Sequence, residues 1–113
     1  MTVHQMMNEM KQQADERSEV QKAFFNYNIV AESVGGSKAK MLTPAREKSL
    51  RQLLRAVGGL QAWNEALANV EKSTFLRGEV EPRERSSRAF RLSFDFMVRE
   101  SSFMKVWEGV YSD

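Results

Sequence analysis

Apolar residues recur along this chain at intervals of three and four, the period of an α-helix with one buried face. They divide the sequence into five or six helical pieces. In the first, residues 1–17, Val3, Met6, Met7, Met10 and Ala14 share a face, while Glu9, Lys11, Asp15 and Glu16 fall mainly elsewhere. A second piece, residues 19–34, carries Val20, Phe24, Tyr27, Ala31 and Val34 on one side and Phe25 and Ile29 on the other, then stops at Gly35-Gly36. A helix apolar on two sides is either sandwiched in its own domain or covered by a partner. Burial within this chain is expected, and a homodimer stays open.

The clearest helix start follows. Thr43 is placed to cap, and Pro44 takes the first helical position, where its missing N–H costs nothing. Leu50, Leu53, Leu54 and Val57 then form one face, terminated by Gly58. The next helix begins near Leu60 and turns Trp63, Ala66, Leu67 and Val70 inward. Only Gly58-Gly59 separates the two, which predicts a central helical hairpin. Phe75 and Leu76 form a short hook ending at Gly78, and the polar stretch 79–88 with Pro82 reads as an exposed loop. The remainder is dense in aromatics, with room for one short extended segment near Phe90. Ser93 and Ser102 are candidate caps for two short helices, and Gly109 ends the last. The expected fold is a compact, mostly α domain spanning 19–113, preceded by an amphipathic or mobile segment, 1–18.

Composition narrows the function classes. The 113 residues fit one domain. Without cysteine there is no disulfide, zinc-thiolate site or thiol nucleophile, which suits a reducing cytoplasm. The opening residues lack the apolar region of a secretory signal, and no run approaches the length of a membrane helix, so a cytoplasmic protein without a membrane partner is expected. The lone histidine, His4, has no neighbouring nucleophile or ligand in the sequence, and neither glycine pair has the context of a phosphate loop. Asp95 and Glu108 lie among aromatics, where a salt bridge or a cap outweighs acid–base chemistry as a reading. We therefore expect no enzyme, no cofactor, no metal and no small-molecule substrate.

A net charge of +2 does not make a global nucleic-acid wrapper, so any basic surface is local. Between positions 38 and 57, Lys38, Lys40, Arg46, Lys48, Arg51 and Arg55 face a single Glu47. Lys48, Arg51 and Arg55 fall opposite the leucine face and, with Lys38 and Lys40, form a row suited to a phosphate backbone or simply to solvation. Arg46 is different: it stands in the first helical turn, where the macrodipole disfavours a cation, and near the leucine side. It is expected to be partly buried against a carboxylate, Glu108 or Asp95. Met6, Met7 and Met10 are the candidate protein-docking face, because methionine adapts to varied partners.

The order of several elements resembles a known pattern. It runs through Leu42-Thr43-Pro44-Ala45-Arg46, Leu50, Leu53, Trp63 and Ser73-Thr74-Phe75-Leu76-Arg77-Gly78. It continues in Phe94-Asp95-Phe96-Met97 and closes on Phe103 to Tyr111 through Trp107, Glu108 and Gly109. This is similar to the C-terminal domain of phage and prophage replication proteins of the replisome-organiser type. Phe25-Asn26-Tyr27-Asn28 matches a further family element, with phenylalanine where the family has tryptophan. Such domains usually follow a winged-helix DNA-binding domain and a linker, whereas only about twenty polar residues precede the resemblance here. The resemblance implies a replication accessory domain in a bacterial host cell. Such a domain would bind DNA nonspecifically, or a helicase, loader or similar protein, through the basic helix. The alternative is a small phage module that modulates a host protein through its methionine-rich helix. Much of the shared motif reads as fold, with Trp63, Phe75, Leu76, Phe94, Phe96 and Trp107 suited to one core and Tyr111 closing back on the hairpin.

Overall fold

The computed structural model describes residues 3–79 and 90–112, apart from the side chains at 4, 8, 9 and 11–14. Its described residues form five helices and no strand: α1 (Val3–Ser33), α2 (Pro44–Val57), α3 (Leu60–Lys72), α4 (Phe94–Val98) and α5 (Glu100–Trp107). The two helices expected before Gly35 are one, because nothing between Arg17 and Val20 breaks the backbone pattern. What changes there is the apolar face. At 100° per residue, the Val3–Met10 stripe lies roughly a quarter of a turn from the Val20–Tyr27–Ala31 face. α1 is thus about 46 Å long, and its C-terminal half docks on the body through Val20, Ala23, Tyr27, Val30 and Ala31.

α2 starts and stops as its sequence directs. The Thr43 side chain accepts a hydrogen bond from the Arg46 N–H at 3.2 Å. Gly58 closes the helix in the left-handed region at φ 93°, donating to the Leu54 carbonyl. Leu50, Leu53 and Leu54 are buried, and α3 continues the hairpin with Ala62, Trp63, Ala66, Leu67 and Val70 inward. α1 packs on both hairpin helices, α5 on α3, and α4 on α2. Trp63 anchors the centre. It is fully buried, donates its indole N–H to the Ala23 carbonyl at 2.9 Å, and stacks on Phe103 at 5.8 Å.

The aromatic C-terminal part forms two groups rather than the one core expected. Phe94 and Phe103 enter the interior. Phe75, by contrast, is 41% exposed and stacks with Phe90 and Tyr111 in a surface cluster that Phe96 joins. The segment 90–93 is neither helix nor strand and ends at Ser93, whose hydroxyl caps α4 by accepting from the Phe96 N–H. Ser102 caps nothing: α5 begins at Glu100, preceded by Arg99 in extended conformation, which places Ser102 inside the helix.

Polar side chains fasten the ends. Asn69 donates to the carbonyls of Val106 and Trp107, satisfying orphan acceptors at the end of α5. Buried Ser73 accepts from the Leu76 N–H and donates to the Tyr111 carbonyl, while Trp107 donates to Glu65 at 2.9 Å. The closing segment therefore lies against α3. Gly36 permits a close crossing: a Cβ there would lie 2.8 Å from that of Leu92, while Ser37 donates to the Leu92 carbonyl.

Candidate interaction surfaces

The cations of α2 are set on the surface by the leucines opposite them, and most are engaged. Arg51 pairs with Glu47 one turn earlier. Arg55 makes a two-point contact with Glu16 of α1, at 2.8 and 3.2 Å. The Arg55 hydrogen bond holds the Glu16 carboxyl below its ordinary range, and the same bond raises the guanidinium. This pair bounds a cleft of about 190 Å³ between α1 and α2, whose floor includes Val20 and Leu54. Lys38 meets Glu32 at 3.5 Å. Lys40 and Lys48 are exposed and have no ion pair among the described residues. Three of the five candidate phosphate-binding cations thus have a carboxylate beside them, from α1 or from their own helix. Sequence spacing could not show Glu16 as the partner of Arg55, because the two lie 39 positions apart.

Arg46 is half-buried, as its position suggested, but its partner differs from the expectation. Its guanidinium donates to the Met41 carbonyl at 2.8 Å and lies 5.7 Å from the centre of the Phe94 ring. A carbonyl and an aromatic face replace the carboxylate. Asp95 lines the same small cleft without forming an ion pair with it among the described residues. Asp95 sits in the first turn of α4, where its charge opposes the helix dipole, and Glu108 is the exposed C-cap of α5. The side chain of His4 lies outside the described residues.

The second surface is the side of α1 turned away from the body. Met7 and Met10 are 64% and 66% exposed, with Val3 and Met6 also in solvent. Phe25 and Ile29 are 64% and 52% exposed, although burial within the chain was expected for them. α2 and α3 pack on one flank of α1 and leave the other open. Met7 and Phe25 stand about five whole turns apart, so they share an azimuth on an ideal helix. Exposed Ser18, Gln21 and Lys22 occupy the same side between them, so this flank carries two separate apolar groups, the methionines near its start and Phe25 with Ile29 near its end.

Beside Phe25 the loop after α1 is held in place. Asn28 donates to the Ala39 carbonyl and accepts from the Ala39 N–H, at 3.0 and 2.9 Å. The buried Tyr27 hydroxyl donates to the Ser37 carbonyl, and burial pushes this phenol well above its usual range. No helix among the described residues is long and apolar enough to cross a membrane. No protein-family model, curated protein or solved structure matches the chain.

Proposed function

We propose that this chain is a non-enzymatic protein-interaction module, a phage- or prophage-type replication accessory that engages a replication protein through the outer side of α1. The observation that carries the reading is the exposure of two groups of large apolar side chains, Met7 with Met10 and Phe25 with Ile29, on the outer flank of one helix. Burying each such side chain contributes about 1.5–3 kcal/mol, and neighbouring exposed apolar side chains, as within each group, mark interaction sites. Methionine suits a surface that must adapt to its partner. The replication setting rests on the resemblance carried by Thr43–Arg46, Ser73–Gly78 and Phe94–Tyr111.

Nonspecific DNA contact is the second reading, favoured by the exposed ammonium groups of Lys40 and Lys48. The ion pairs at Lys38, Arg51 and Arg55 weigh against it, since a phosphate must compete with a carboxylate already present. A paired experiment separates the two: affinity capture of phage-encoded and host replication proteins, and a gel shift with duplex DNA across a salt series. Capture lost on Met7→Asp with Met10→Asp, and kept on Lys40→Glu with Lys48→Glu, supports the protein reading. A salt-dependent shift abolished by the lysine changes, with no α1-dependent capture, replaces it with the DNA reading.

A further inference from the structure

α1 and the loop that follows it enclose a groove of about 440 Å³, bounded by Phe25, Ile29 and Glu32 on the helix and by Lys38, Ala39 and Lys40 on the loop. We propose that this groove binds an acidic amphipathic helical segment of a partner protein. The segment's two apolar anchors, one turn apart, would cover Phe25 and Ile29, and its carboxylates would meet Lys38 and Lys40. The inference rests on the protein-interaction reading and names the chemistry of the segment recognised.

Three features select that occupant. The apolar wall consists of two large side chains at i and i+4, both more than half exposed, a spacing that complements the i, i+4 anchors of a helix laid alongside. The opposite wall is prebuilt. Asn28 pairs with both backbone groups of Ala39, and Tyr27 holds Ser37, so the loop needs little ordering when a ligand arrives. The rim is cationic. The one carboxylate at the groove, Glu32, meets Lys38 only at 3.5 Å, with both side chains mostly in water. An exposed pair of that kind is weak, so an incoming carboxylate exchanges for it readily. A nucleic-acid strand fits less well: of the two apolar side chains only Phe25 offers a ring for base stacking, and Ile29 offers none.

The test is selection from a displayed library of peptides of about twelve residues, long enough for helical turns, on the immobilised full chain. Recovered peptides should carry two apolar residues one turn apart, flanked by Asp or Glu. Their affinity should fall at least about tenfold on Phe25→Ala or Ile29→Ala, as for central anchors. It should fall several-fold on Lys38→Glu with Lys40→Glu. All these positions are exposed, so unchanged thermal midpoints are expected to show that the fold is intact. No enrichment, enrichment of neutral or basic peptides, or equal binding to the variants overturns the proposal. So does displacement of the peptides by an oligothymidylate strand, or a sedimenting dimer that Phe25→Ala dissociates, since a nucleic acid or a second copy then fills the groove. Loss of the groove with capture through Met7 and Met10 retained would leave the broader reading standing.

Discussion

Replacing Trp63 tests the packing on which every surface described above depends. Trp63→Phe keeps a ring against Phe103 but removes the indole N–H that donates to Ala23 at 2.9 Å. Losing that hydrogen bond costs about 1 kcal/mol. The smaller ring leaves roughly 40 Å³ of void in a site with no solvent exposure, worth about 1 kcal/mol more. Together about 2 kcal/mol corresponds to a fall of about 8 °C in Tm for a domain of this size. Trp63→Ala, which also removes the stack, should cost about 3–5 kcal/mol. Thermal unfolding followed by far-ultraviolet circular dichroism measures both. Equal losses for the two variants, or a change below about 2 °C for Trp63→Phe, would refute the assignment of Trp63 as the link between α1, α3 and α5.

Three further outcomes follow from particular contacts. Glu16 has a depressed carboxyl pKa in the folded chain, so its contribution is present above its unfolded value of 4.5 and is lost as pH falls through the lower folded value. The stability difference between wild type and Glu16→Gln, followed by denaturant titration, should therefore exist at neutral pH and vanish in acid. Gly78→Ala should destabilise by more than about 2 kcal/mol, because φ is 72° and a Cβ would lie 2.5 Å from the Phe90 carbonyl oxygen. Gly58→Ala, with the same sign of φ but open space around it, should cost only about 1 kcal/mol in the same assay.

What the sequence disclosed was local. Thr43-Pro44 and Gly58 delimit α2 because caps and left-handed turns are properties of a few adjacent residues, and Ser93 is recognisable for the same reason. The start of α5 was hidden because Arg99 precedes it without a side-chain cap, so Ser102 offered the only visible signal. The union of the first two helices was obscured by the rotation of the apolar face, which mimics a break. Arg46 was placed correctly as half-buried, yet its partners depend on where Met41 and Phe94 arrive, and spacing carries no such information. The candidate surface was half legible. The methionine face could be read from periodicity, but the exposure of Phe25 and Ile29 depends on α2 and α3 choosing the opposite flank of α1. The engagement of Arg55 was likewise invisible, since Glu16 lies 39 residues away.

The outer flank of α1 as a protein-binding surface is tested most directly by site-specific photocrosslinking. A benzophenone side chain would be introduced at Met7, at Phe25 or, on the basic face of α2, at Lys48, and irradiated in cells carrying the phage replication machinery. Adducts to one defined protein from Met7 and Phe25, with none from Lys48, are predicted. Crosslinks to DNA from Lys48, with none from either α1 position, would contradict it.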